Sequence, residues 1–233
     1  MTKLNSLQRP RAILFDMDGV LVDSEELHWS SVLLLLQKKL GQKAPSLEPR
    51  VGWGDEALWS ELIASYSLEG TPRSLTIERG LLALQLLKQT PPPQMAGALE
   101  AIRSWKRADP KLKLAVVSAS PKDQMIQSLL HFTDERATPL FDLLISGVDD
   151  TKVNKPHPAP YLLAMQTLQL QPQDCWIAED STTGLTAGLA SGAHTFPVGA
   201  HTVAPDLISK CQKELNTLLD LFFLWEKAST IST

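Results

Sequence analysis

Asp16-Met17-Asp18-Gly19 sets two carboxylates two positions apart, directly after the apolar run Ala12-Ile13-Leu14-Phe15. A run of four apolar residues reads as a short buried strand, and Gly19 marks the point where the chain must turn. The carboxyl ends of strands are where open α/β sheets place their ligands. An acidic pair at such a turn suits a divalent cation, a carboxylate nucleophile, or both. The same residues could serve only as an Asx turn or a helix cap.

Three later segments weigh against that plainer use. Lys113 to Ser118 reads as a second buried strand ending in a hydroxyl, with Pro121 at the start of an amphipathic stretch. Lys155-Pro156-His157-Pro158 holds a lysine in a proline-stiffened loop ahead of a helical stretch, Tyr161 to Leu170. Cys175 to Ser181 forms a further strand ending in the adjacent carboxylates Glu179 and Asp180. Taken singly, Ser118 could cap a helix and Lys155 could be a solvated loop charge. Taken in order, the carboxylate, hydroxyl, lysine and acidic pair resemble the four motifs of the haloacid dehalogenase superfamily of phosphotransferases.

The resemblance implies a division of labour. Asp16 is expected to attack phosphorus and form an aspartyl-phosphate, splitting one difficult displacement into two. Asp18 is expected to protonate the leaving oxygen and then to deprotonate the incoming water or hydroxyl. Lys155 supplies positive charge, and Ser118 with the backbone around Ala119 donates hydrogen bonds to phosphoryl oxygens. Mg²⁺ is the expected cofactor, held by Asp16, Asp180, the backbone carbonyl of Asp18, and Glu179 either directly or by supporting another ligand.

The composition permits this chemistry and argues against others. A chain of 233 residues suits one large domain, or a core with a small satellite. The net charge of -4, with no polybasic run, gives no footprint for nucleic acid or an anionic membrane. The first eleven residues, Met1 to Arg11, lack the apolar core of a signal peptide, and no apolar stretch reaches the ~20 residues of a membrane span. Cys175 in a buried strand and Cys211 in a late polar helix read as reduced thiols. The five histidines show no zinc-ligand spacing. The expected setting is cytoplasmic, with a small phosphorylated metabolite as partner and a monomer or weak dimer as the assembly.

The elements that must position these residues alternate strand and helix, which predicts an α/β fold: a doubly wound parallel, Rossmann-like sheet. Strands are expected at Leu143 to Ser146 and Thr195 to Val198 besides those above, with a helix near Met95 to Arg107. One face of the helix after Asp180 is small, through glycines 184, 188 and 192 and alanines 187 and 190. A final helix carries the stripe Leu215, Leu218, Leu219 and Phe222. Between about Ser24 and Gln89 there is no strand pattern, only amphipathic segments at Glu25 to Leu40, Asp55 to Tyr66 and Arg73 to Gln89. The expected organisation is a discontinuous catalytic core, 1–22 and 93–233, interrupted by an α-helical cap, 23–92.

That insertion point is similar to the β-phosphoglucomutase-like branch, as is the stretch Asp16 to His28. In such mutases the histidine corresponding to His28 contacts the acid/base aspartate. Glu25, His28 and Arg79 are candidate substrate contacts in the cap, and Trp53 is a candidate ring-stacking wall. The departure is Asp55, which stands where the mutase has an arginine to clamp a second phosphate. The leading expectation is therefore a Mg²⁺-dependent phosphatase. A sugar phosphomutase is the alternative, and a non-catalytic receiver-like phospho-acceptor a third, disfavoured by a helical insert of roughly 65 residues.

Overall fold

Strand β1, Ala12–Phe15, is buried along its whole length, and the reason is visible in where alternate side chains go. Ile13 and Phe15 enter one apolar cluster, while Ala12 and Leu14 enter another. Successive strand residues point to opposite faces, so a strand covered on both sides must be apolar throughout. The same division holds for β2, Lys113–Ser118, and β4, Cys175–Glu179. With β3, Leu143–Ser146, and β5, His194–Pro197, they form a five-stranded sheet in the order β3-β2-β1-β4-β5. Every pairing is parallel. The chain thus carries the doubly wound parallel sheet that the alternation predicts. These features belong to a computed structural model that describes residues 7–41, 47 and 55–228.

The helices are labelled in chain order. Those of the segment between β1 and β2 that forms a unit of its own are α1 (Glu25–Leu40), α2 (Asp55–Tyr66) and α3 (Pro72–Gln89). Those of the sheet region are α4 (Ala98–Ala108), α5 (Lys122–Ser128), α6 (Ala159–Leu168), α7 (Thr182–Ser191), α8 (Pro205–Ile208) and α9 (Leu218–Lys227). One sheet face is packed by α4 and α9, with Trp105 and Trp225 buried in the same cluster as Phe15. Phe15 and Trp105 meet with ring centroids 5.6 Å apart. The other face takes Tyr161, Ala164 and Met165 of α6 and Ala187 of α7.

Several details differ from the sequence reading. Gly184 and Gly188 do face the sheet region, since an added Cβ would meet Glu179 at the first and Thr195 at the second. Gly192, however, is the left-handed C-cap of α7 at φ 83°, and Ala190 is exposed. The small face is therefore narrower than the composition implied. Cys211 is buried but lies in a bend, because the Pro205-initiated helix stops at Ile208 and the Gln212 amide turns back to the Thr195 carbonyl at 2.8 Å. Leu215 likewise precedes α9, forming a bridge with Val198.

The chain divides into two compact units, Met1–Asp23 with Pro93–Thr233, and Ser24–Pro92. The second unit has its own core, in which Val32, Leu35 and Leu36 of α1 pack with Leu58, Trp59 and Leu62 of α2 and Leu75 of α3. Helix α3 begins with a capping box, the Thr71 hydroxyl accepting from the Ser74 amide and Ser74 Oγ accepting from the Thr71 amide. Among the described residues, no helix is long and apolar enough to cross a membrane.

Candidate active site

The register of the sheet brings the candidate residues to one edge. Phe15 pairs with Val116 on one side and Ala178 on the other, so Asp16, Ser118 and the Glu179-Asp180 pair all emerge at the carboxyl ends of adjacent strands. The Asp16 amide donates to the Ala178 carbonyl at 2.9 Å, fixing the point of departure from β1. The turn that follows depends on Gly19. Its φ of 78° suits glycine, and an added Cβ would collide with the Asp180 carboxylate. One glycine thus permits both the sharp turn and the approach of the two acidic strand ends.

Lys155 is the hub of the cluster. Its side chain is 4% exposed, and its Nζ donates to Asp16 Oδ1, Glu179 Oε1 and the Val117 carbonyl, each at 2.7 Å. An ammonium has three protons, and three acceptors surround this one. The loop that carries the lysine is itself tied down: Asn154 Oδ1 accepts from the Lys155 amide at 2.8 Å, and Asn154 Nδ2 donates to the Ala119 carbonyl at 3.2 Å. Glu179 is fully buried and takes further hydrogen bonds from the Tyr161 hydroxyl at 2.6 Å and from Ser181 Oγ at 3.2 Å.

The loop after β2 is pinned in the same manner. Ser118 Oγ accepts from the Ser120 amide at 3.0 Å, and Ser146 Oγ donates to the Ser120 carbonyl at 2.8 Å. Ser120 Oγ donates to Asp18 Oδ2 at 3.2 Å, linking this loop to the turn after β1. Ser118 is fully buried at the strand end, and its own hydroxyl proton can still be donated.

The electrostatics leave negative charge in excess. Asp16, Asp18, Glu179 and Asp180 act on one another, with Lys155 as the cation among them. Burial, reinforced by Glu179, raises the Asp16 carboxyl well above the usual range despite the lysine. Burial and Glu179 push Asp180 up to about 7. Burial opposes the charge of Lys155, but the Asp16 and Glu179 carboxylates outweigh it and hold the ammonium above its ordinary value. Ligand atoms of Asp16, Glu179 and Asp180 lie within 4.8 Å of one another. An all-oxygen set with surplus negative charge fits a hard divalent cation such as Mg²⁺.

The sequence candidates therefore fall into two groups. Asp16, Asp18, Ser118, Ala119, Lys155, Glu179 and Asp180 come together in the sheet-bearing unit. Glu25 and His28 stand on α1 of the helical unit, where His28 Nδ1 lies 3.1 Å from Arg79 Nη1. Guanidinium can only donate, so Nδ1 accepts in that contact. Asp55 is described only as the first residue of α2, and Trp53 lies outside the described residues. Sequence reasoning missed Tyr161 and Asn154. In the sequence Tyr161 reads only as a helical residue, and its hydroxyl on an otherwise apolar face of α6 is the available signal.

A doubly wound sheet with a buried carboxylate and lysine cluster at its carboxyl edge defines an α/β enzyme core. The model of the haloacid dehalogenase-like hydrolases matches residues 10–192, and the chain belongs to that family. It is 31% identical over 201 residues to hexitol phosphatase B of Escherichia coli K12, covering 83% of this chain and 87% of that protein. It is 28% identical over 186 residues to a phosphorylated carbohydrates phosphatase of Thermotoga maritima, covering 78% and 81%. The fold is similar to the crystal structure of a β-phosphoglucomutase from Clostridium difficile, with a TM-score of 0.68, 19% identity, and 94% and 98% of the two chains covered.

Proposed function

We propose that this chain is a Mg²⁺-dependent phosphatase of a small phosphorylated sugar or sugar alcohol, acting through an aspartyl-phosphate on Asp16. The observation that carries the reading is the Asp16 carboxylate itself, 8% exposed at a strand end and held through Oδ1 by Lys155. The substrate class is drawn from the relatives named for hexitol and carbohydrate phosphates.

The residues divide the work as follows. Asp16 attacks phosphorus while the bond to the leaving oxygen breaks, and Asp18 gives that oxygen its proton. Asp18 then takes a proton from water, whose oxygen attacks the phosphorus of the aspartyl-phosphate, releasing phosphate and restoring Asp16. Ser120, donating to Asp18, fixes the orientation of that acid/base. Lys155 fixes the rotation of the Asp16 carboxylate, and Ser118 with the Ala119 backbone cradles phosphoryl oxygens. Asp16, Asp180, the Asp18 carbonyl and Glu179 are the groups that would hold Mg²⁺, which when bound offsets the repulsion between nucleophile and phosphoryl group. We assign substrate choice to the helical unit, with Glu25, His28, Trp53 and Asp55 as the residues to vary.

Hydrolysis is preferred over position-to-position transfer because a mutase must grip a bisphosphate at both ends, and Asp55 offers a like charge where the mutase has a clamp. Phosphate release from a panel of sugar and sugar-alcohol phosphates with Mg²⁺, run beside a transfer assay, tests this. Release that stops in chelator, with little transfer, is expected. Efficient interconversion of sugar monophosphates, dependent on catalytic bisphosphate, would replace the reading with a mutase.

A further inference from the structure

The residue that remains unexplained by this chemistry is Tyr161. It stands in the first turn of α6, fully buried, and its hydroxyl donates to Glu179 Oε1 at 2.6 Å. The same oxygen accepts from Lys155 at 2.7 Å, while the other oxygen, Oε2, accepts from Ser181 at 3.2 Å. The lysine Nζ also lies 5.0 Å from the centroid of the Tyr161 ring. Gly184 closes a further side of the carboxylate, for an added Cβ would overlap its atoms. Two donors therefore converge on Oε1, one short and both from buried groups, while a single longer contact reaches Oε2.

From this asymmetry we infer that Tyr161 is a positioning residue. Its hydroxyl fixes the rotation of Glu179, so that Oε1 serves Lys155 and Oε2, which takes the longer Ser181 contact, is the oxygen that would be left for a metal. The inference rests on the phosphatase reading above. A carboxylate held by Lys155 on one oxygen and by the longer Ser181 contact on the other can still tilt, whereas a second short donor on the Lys155-bound oxygen fixes its plane. Mg²⁺ demands near-ideal octahedral geometry, so a ligand free to pivot holds it less well. Lys155 would follow Glu179, and the Asp16 carboxylate that it anchors would follow in turn. A merely structural tyrosine would satisfy a buried acceptor and nothing more.

The test is Tyr161→Phe in the full chain, which keeps the ring and its contact with Lys155 while removing the hydroxyl. Mg²⁺ affinity is read by calorimetry without substrate, and kcat, KM and the melting temperature are measured separately. A Mg²⁺ Kd raised about tenfold and a kcat lowered about tenfold are expected, with KM little changed. In a Glu179→Gln background the same substitution should add little further loss of Mg²⁺ affinity. A variant that only melts earlier, with Mg²⁺ Kd and kcat at wild-type values, would overturn the proposal. So would full additivity with Glu179→Gln. On wild-type protein, the Tyr161 hydroxyl proton should give an exchange-protected NMR resonance that persists when Mg²⁺ is added; its disappearance on Mg²⁺ addition overturns the proposal without any variant. A wild-type chain that binds no Mg²⁺ would remove the underlying phosphatase reading, and this proposal with it.

Discussion

Lys155 is the residue on which the candidate site turns. Three acceptors share its ammonium, two of them carboxylates, so removing that charge leaves buried acids facing one another. Breaking a buried ion pair from one side costs about 3–5 kcal/mol. Lys155→Met is accordingly expected to lower stability by roughly that amount in denaturant unfolding and to abolish phosphate release. Gly19 is constrained in another way. Its positive φ and its contact with the Asp180 carboxylate both exclude a side chain, so Gly19→Ala should cost on the order of 1–3 kcal/mol and weaken Mg²⁺ binding in calorimetry. Both residues were legible in the sequence because their chemistry is local: a glycine after a carboxylate pair, a lysine directly ahead of two closely spaced prolines. Tyr161 was not, since its role exists only where α6 meets the end of β4, and nothing in its own neighbourhood announces that meeting.

Elements explain why the strands were easier to read than the helices. A strand covered on both faces must be continuously apolar, and Ala12–Phe15 and the first four residues of β4, Cys175 to Ala178, declare themselves by that property alone. Helix ends are set by caps and by what the next segment bonds to. Cys211 was misplaced in a helix because the bend around it is fixed by a hydrogen bond from Gln212 to the distant Thr195. The helical unit offers a nearer miss, since α3 begins at Pro72, one residue before the expected Arg73, where Thr71 and Ser74 close a capping box. Thr71→Ala should therefore destabilise the helical unit by about 1 kcal/mol, read as a shift in its urea midpoint, with little effect on Mg²⁺ affinity. In the sheet-bearing unit, Trp105→Ala would open a cavity beside Phe15 and should cost about 3–5 kcal/mol.

At the scale of the whole molecule, the acidic cluster couples folding to pH. Asp180 has a pKa raised from 3.8 to about 7 by burial and by Glu179. Between those values the unfolded chain has released a proton that the folded chain retains, so Asp180 makes the metal-free protein lose stability as pH rises from about 4 to 7, and the raised Asp16 carboxyl acts in the same direction. Mg²⁺ binds the ionised form and should stabilise progressively more as pH rises through that window, which melting curves in chelator and in Mg²⁺ would show. Turnover by this chain passes through one covalent bond. Metal-loaded protein mixed with a hydrolysable sugar or sugar-alcohol phosphate, quenched in acid within one turnover, reduced with borohydride and mapped by mass spectrometry, should carry its label on Asp16, while Asp16→Asn should show neither label nor phosphate release. Turnover with no reduced residue at Asp16, or phosphate release by Asp16→Asn at the wild-type rate, would contradict it.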